Sequence, residues 1–263
     1  MYAIAFPAID PIAIGLGPVV VRWYSLAYVF GIVLGWQYAM RLAKRTDGRI
    51  DLLHIDDFVV WATLGVILGG RLGYVLFYRP GYFIDNPLEV VAMWKGGMSF
   101  HGGGLGILTA MWIYCGRQKI SRLSFADLIC AAAPIGLFFG RIANFINGEL
   151  FGRATDVPWA MVFPRGGPAP RHPSQLYEAA LEGFVLFIVL AALIYGINAL
   201  RRPGLITGAF FAGYGVVRFT VEYVREPDAH LGTLLGVATM GQFLSLPLIA
   251  IGLWLMLQAR RKT

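Results

Sequence analysis

Charged side chains are scarce in this sequence. Asp, Glu, Lys and Arg make up 14% of its 263 residues, too few to clothe a soluble globule of that size, while 57% are hydrophobic. A soluble domain rarely exceeds about half apolar. With a mean hydropathy of +0.64, the chain needs a nonpolar solvent, and a bilayer is that solvent. Cysteine is nearly absent. Cys115 and Cys130 lie in or beside apolar runs with no CxxC pair, which reads as packing and leaves out thiol metal or redox motifs. The four histidines lack zinc-ligand spacing, and no GxxxxGK[ST] nucleotide loop occurs; no metal and no other cofactor is expected. The first 17 residues contain no Lys or Arg, so they lack the basic start of a cleaved signal peptide and read as a segment lying at the membrane interface. Neither an internal repeat nor a low-complexity tract is present. The net charge of +7 does not mark a nucleic-acid binder, because basic clusters interleaved with exposed aromatics are missing.

What is there is long apolar runs. Seven approach the roughly 20 residues that cross a bilayer: near 19–40, 59–78, 98–115, 126–147, 176–199, 205–224 and 234–257. They predict a single all-α membrane domain, 1–263, built as a bundle of about seven transmembrane helices. Basic residues then orient it. Arg41, Lys44, Arg45, Arg49, Arg117, Lys119, Arg122, Arg201, Arg202, Arg260, Arg261 and Lys262 fall on one side. Arg79, Lys95, Arg153, Arg165, Arg171 and Arg225 fall on the other. Because cytoplasmic loops are enriched in Lys and Arg, the C-terminus is expected in the cytoplasm and the N-terminus outside. The outer side also carries two long connections, an arm at 79–97 and a Gly- and Pro-rich head segment at 148–175; structureless loops of that length are usually functional. The GxxxG pairs Gly31/Gly35, Gly69/Gly73, Gly136/Gly140 and Gly204/Gly208 read as close helix contacts.

Ionisable side chains within a bilayer are costly and mark functional candidates. The spans contain Arg71, Arg141 with Asn144, and Arg218 with Glu222. Tyr24 and His101 stand where spans begin. Alternating span direction brings all seven to the outer leaflet. Tyr214, Arg218 and Glu222 are spaced i, i+4, i+8 and share one helix face, as do Arg141 and Asn144 at i, i+3. A structural ion-pair network is one account. The other is an anionic visitor: two deep arginines with one nearby carboxylate suit a phosphate, which Arg grips with two parallel hydrogen bonds. At that depth the available phosphate is a phospholipid headgroup. Arg22 reads as snorkelling to the interface, and His54 and His230 as solvated.

Three strings carry a more specific likeness: GGMSFHGGGLG at 96–106, GRIANFINGELFGR at 140–153 and RHPSQLYEA at 171–179. With RWYSLAY at 22–28 and GYGVVRFTVEYVREPD at 213–228, in that order along nearly the whole chain, the sequence resembles the bacterial prolipoprotein diacylglyceryl transferase family. The resemblance implies a seven-helix inner-membrane bundle with a periplasmic arm and head and an active site toward the periplasm. It implies transfer of the diacylglyceryl group from phosphatidylglycerol to the lipobox cysteine of a prolipoprotein signal peptide, giving a thioether and glycerol 1-phosphate. Tyr24, His101, Arg141, Asn144, Glu149, Gly152, Arg218 and Glu222 match the family's functional positions.

Displacement at a glycerol carbon by sulfur needs a thiolate, although a free thiol has a pKa of about 8.5, and it needs a stabilised leaving phosphate. His101 is the candidate base by residue type, or else a hydrogen-bond donor to the headgroup. Arg141 and Arg218 are the phosphate grip, with Glu222 orienting Arg218. Glu149 orients an arginine or binds glycerol hydroxyls, and Asn144 and Tyr24 supply neutral hydrogen bonds. Gly102 and Gly103 allow close backbone approach to a ligand or pack helices. Tyr214 joins the lining, and His172 either binds substrate or anchors its loop. Two rivals are a lipid transporter, which predicts polar residues at the midplane and a repeated half, and a non-catalytic lipid-binding protein. One bundle suffices for the chemistry, so a monomer is expected.

Overall fold

The computed structural model describes residues 4–7, 9–17, 19–226, 233–234 and 238–261; His230 and Lys262 lie outside the described residues. Its helices are α1 (Trp23–Ala43), α2 (Leu52–Phe77), α3 (Pro80–Asp85), α4 (Phe100–Gln118), α5 (Arg122–Ile146), α6 (Ser174–Glu178), α7 (Leu186–Ile197), α8 (Leu205–Val221) and α9 (Met240–Arg261). A π-helical segment, Ala179–Val185, joins α6 to α7 without a break. Among the described residues five helical stretches are long and apolar enough to cross a membrane: α1, α2, α5, Ser174–Ile197 and α9. The 26 residues of α2 span about 39 Å at 1.5 Å per residue, more than the ~30 Å hydrocarbon core. The 17-residue α8 is apolar but shorter. This is an all-α integral membrane protein, and among the described residues no strand exceeds five residues. Each of the seven expected spans overlaps a helix, with shifted ends, but α4 and α8 are not among the five long and apolar enough to cross. The first helix starts at Trp23 because Val19–Arg22 forms a strand, β3, paired with β2 (Ile12–Leu16). The last runs Met240–Arg261, six residues later at its start than the apolar run suggested.

The chain divides into two compact units, residues 40–126 and residues 1–39 with 127–263. In the first of these, α2 and α4 run antiparallel through facing glycines. A methyl on Gly69 would overlap the backbones of Gly102 and Gly106, and one on Gly102 would overlap that of Gly69. Small residues give membrane helices this close approach. The arm, α3 followed by 3₁₀ turns at Pro87–Val91 and Met93–Lys95, is organised around Arg71. That buried guanidinium donates to the carbonyls of Glu89 (2.6 Å), Val90 (2.7 Å), Ala92 (3.3 Å), Gly96 (2.5 Å) and Gly97 (3.1 Å) and stacks over Phe83. His54 is tied rather than simply solvated: its Nδ1 lies 3.1 Å from the Tyr114 hydroxyl.

In the other unit, Gly31 of α1 faces Gly136 of α5, and Gly208 of α8 faces Gly252 of α9. Two expected packing glycines behave differently: Gly204 precedes α8 with φ of 93°, and Gly140 meets nothing within 4 Å. Asp127, fully buried in α5, caps the start of α8 by accepting from the Gly204 N–H (2.8 Å), the Thr207 N–H (2.7 Å) and the Thr207 hydroxyl (2.7 Å). The head segment closes on an aromatic core in which Phe163 contacts Phe6 and Phe151. It is tied to the chain start by pairing of β1 (Ile4–Ala5) with β4 (Met161–Val162).

Candidate active site

Three helices of the larger unit converge on one ionic cluster. From α5, Arg141 sets Nε 2.6 Å from Glu178 Oε2 and Nη2 3.4 Å from Glu182 Oε2. From α8, Arg218 sets Nη2 3.0 Å from Glu222 Oε2 and Nη1 3.7 Å from Glu178 Oε1. Arg225, just past α8, bridges Glu178 (3.8 Å) and Glu222 (3.8 Å). Glu178 therefore meets all three arginines while being 1% exposed, and Glu182 is fully buried. Glu182 sits on the π-helical turn, a rare conformation concentrated at functional positions. Gly183 beside it lets that turn press on Phe138.

This overturns one expectation. The arginines face three carboxylates, Glu178, Glu182 and Glu222, where a single one was anticipated. Glu178 and Glu182 lie at i, i+4 in the most apolar stretch of the chain, so the rule that singled out the intramembrane arginines applied to them equally. Arg225, counted as an outer-loop charge, is a member too. Charge balance does not close the cluster. Arg218 Nη1 is buried without a hydrogen-bond partner, as are both oxygens of Glu178, Glu182 Oε1 and Glu222 Oε2. The ion pairs of Glu178 Oε1 with Arg218 (3.7 Å) and Arg225 (3.8 Å) are longer than a hydrogen bond. Arg141 commits Nε and Nη2 to carboxylates. Both arginines are thus held by carboxylates, and Arg218 Nη1 keeps hydrogen-bonding capacity that no described residue uses.

Around the cluster, the face expected for Tyr214, Arg218 and Glu222 is present on α8. The Tyr214 phenol lies within electrostatic reach of Glu178, Glu182, Arg141 and Arg218. Tyr24, in the first turn of α1, pairs with the Tyr28 hydroxyl at 3.3 Å, within reach of Arg141 and Glu149. Buried Asn144 donates to Glu149 Oε1 (2.9 Å), as does Asn147 (3.3 Å), so Glu149 is tethered by amides. Below it, Gln175 Nε2 donates to the Glu149 carbonyl (2.6 Å) and the Ser174 hydroxyl to that of Leu150 (3.0 Å), fastening the head to the start of α6. Gly152 is pinned by its N–H to the His172 carbonyl (2.8 Å), and a methyl there would run into the Val224 carbonyl and His172. Its close approach is to the protein's own backbone. His172 Nδ1 lies 3.2 Å from the Tyr177 hydroxyl, and burial lowers its pKa from the ordinary 6.5.

In the smaller unit, His101 is exposed in the first turn of α4, which Ser99 caps by accepting from the Gly102 N–H at 3.1 Å. Gly102 has the packing role described above, and Gly103 meets Val66 at ordinary contact distance. Arg71 has a role in folding the arm. Among the described residues no group of His, Cys, Asp and Glu is placed to hold a metal ion.

Residues 11–258 match the family model for prolipoprotein diacylglyceryl transferase. The chain is 58% identical over 264 residues to the phosphatidylglycerol–prolipoprotein diacylglyceryl transferase of Azospirillum brasilense, covering 100% of this chain and 98% of that protein. It is 56% identical over 262 residues to the protein of the same name from Paramagnetospirillum magneticum (99% and 97% covered). Identity to that from Rhizobium leguminosarum bv. trifolii is 57% over 265 residues (98% and 94% covered).

Proposed function

The chain belongs to the prolipoprotein diacylglyceryl transferase family, and from that membership we propose how its residues perform the transfer. The substrates are phosphatidylglycerol and a prolipoprotein bearing a lipobox cysteine. The cysteine sulfur attacks the glycerol carbon that carries the phosphate; a carbon–sulfur bond forms, the carbon–oxygen bond to phosphate breaks, and glycerol 1-phosphate leaves with the electron pair. No further co-reactant is required, since the phosphodiester is the activated group.

One observation carries this reading: two largely enclosed arginines are set side by side by carboxylates, Arg141 through Nε and Nη2 and Arg218 through Nη2, and Nη1 of Arg218 makes no hydrogen bond among the described residues. A guanidinium aimed in advance loses little on binding phosphate, and a donor placed where charge develops acts chiefly on the transition state. The phosphodiester monoanion becomes a phosphate monoester as the bond breaks, so the grip tightens along the reaction. Glu178, Glu182 and Glu222 hold the arginines in place and keep the empty site from carrying three uncompensated charges. Tyr214, Tyr24 and Asn144 supply neutral hydrogen bonds to headgroup or ester oxygens. Glu149, held by its two asparagines, offers a carboxylate to the glycerol hydroxyls, and Gly152 and His172 seat the head loop beside it. His101 is assigned by residue type to accept the thiol proton. We place the protein in the bacterial inner membrane as a monomer, C-terminus cytoplasmic, with residues 79–97 and 148–175 and the site toward the periplasm.

Purified protein, phosphatidylglycerol vesicles and a lipobox peptide, with the thioether product read by mass spectrometry, test the reading. Product is expected, and none from a Cys→Ser peptide. Lipid binding without product would instead identify a non-catalytic lipid-binding protein.

A further inference from the structure

Glu222 is enclosed on two sides. On one, its carboxylate meets Arg218 at 3.0 Å and Arg225 at 3.8 Å. On the other it lies against the first turn of α9. A Cβ built on Gly241 would stand 2.8 Å from Glu222 Cδ and Oε2 and 2.9 Å from Oε1, nearer than carbon and oxygen tolerate. That turn holds its own shape, and α9 packs closely on α8 where Gly252 meets Gly208. The Thr239 N–H donates to Gln242 Oε1 (3.1 Å) and the Gln242 N–H to Thr239 Oγ1 (3.4 Å), a reciprocal capping box. The Ser245 hydroxyl holds the Gly241 carbonyl at 2.7 Å. Thr239, Gln242 and Ser245 are all buried. The helix start also presents its positive end to the carboxylate.

We infer that Gly241 is a positioning residue for the transfer reaction: lacking a side chain, it lets the Glu222 carboxylate sit between α9 and Arg218 and so fixes the direction of that guanidinium. This rests on the reading that Arg218 grips the lipid phosphate. The local backbone gives no competing reason for glycine, since the first turn of a helix accepts alanine readily.

The test is a size exchange. In the purified full-length protein, Gly241→Ala pushes the carboxylate off its seat and lowers kcat about 10-fold or more, the cost of a small misplacement near reacting groups. Glu222→Asp withdraws the carboxylate by one methylene, so Gly241→Ala combined with Glu222→Asp turns over about fivefold faster than the product of the single effects predicts. If the alanine variant is not recovered from membranes but the double variant is, the same steric seat is supported. Turnover of Gly241→Ala within about twofold of the unsubstituted protein, or purely additive effects in the double variant, would overturn the inference. Glu222→Gln separates it from the reading beneath: full turnover in that variant removes the role of Glu222 itself, whereas a loss there beside an unaffected Gly241→Ala rejects only the positioning role.

Discussion

Replacing Arg141 by lysine keeps the positive charge and removes the fork. In the structure that fork meets Glu178 at 2.6 Å through Nε and Glu182 at 3.4 Å through Nη2. An ammonium is a single point of charge that can approach one carboxylate or the phosphate, but not hold all three directions. A hydrogen bond to a charged group contributes about 1.5–3 kcal/mol. Losing one in the transition state therefore slows transfer by roughly 10- to 150-fold, while the remaining charge keeps the buried carboxylates compensated. Alanine is the harsher change: it takes the ion-pair partner from buried Glu182 and the nearest one from Glu178, and breaking a buried pair in this way costs about 3–5 kcal/mol of stability, mixing loss of fold with loss of function. The comparison is thus kcat for Arg141→Lys in the vesicle assay, with membrane insertion and thermal unfolding measured in parallel. A lysine variant that unfolds normally and turns over within about twofold of the parent would refute the claim that the guanidinium fork serves the leaving phosphate.

His101→Gln should lose less activity at high pH than at neutral pH if His101 accepts the thiol proton, because solvent then ionises the cysteine; a pH-independent loss would assign it a hydrogen bond instead. Arg71→Gln removes donors from carbonyls between Glu89 and Gly97, so the arm should be cleaved faster in limited proteolysis, and an unchanged cleavage pattern would contradict its organising role. His172 is held below its ordinary pKa of 6.5 by burial. Below about pH 6.5 the unfolded chain takes up that proton more readily than the folded one, and stability falls with pH until the folded imidazole also protonates. His172→Gln should flatten that slope in thermal unfolding, whereas an identical slope in both proteins would place its origin elsewhere.

The helices were legible because hydropathy reports on solvent directly: a run of about 20 apolar residues has few places to go but a bilayer. The face of Tyr214, Arg218 and Glu222 was legible because helical spacing is fixed. Glu178 and Glu182 escaped although both lie inside the expected span at 176–199, because the intramembrane arginines stood out and HPSQLYE read as a helix start. Helix–helix partners escaped for a different reason. Nothing local distinguishes Gly102, which packs on α2, from a glycine opened toward ligand, and nothing in the second half of the chain announces that Gly241 backs Glu222. Arg71 looked like its neighbours in the cluster until five carbonyls of the arm were found around it.

A structure of the protein with a non-reactive phosphatidylglycerol analogue measures the central claim most directly. The account predicts the lipid phosphate within about 2.7–2.9 Å of Nη1 of Arg141 and of Arg218, with Glu178 still joining the two arginines. A phosphate bound elsewhere, with both guanidiniums engaged only by Glu178, Glu182 and Glu222, would contradict it.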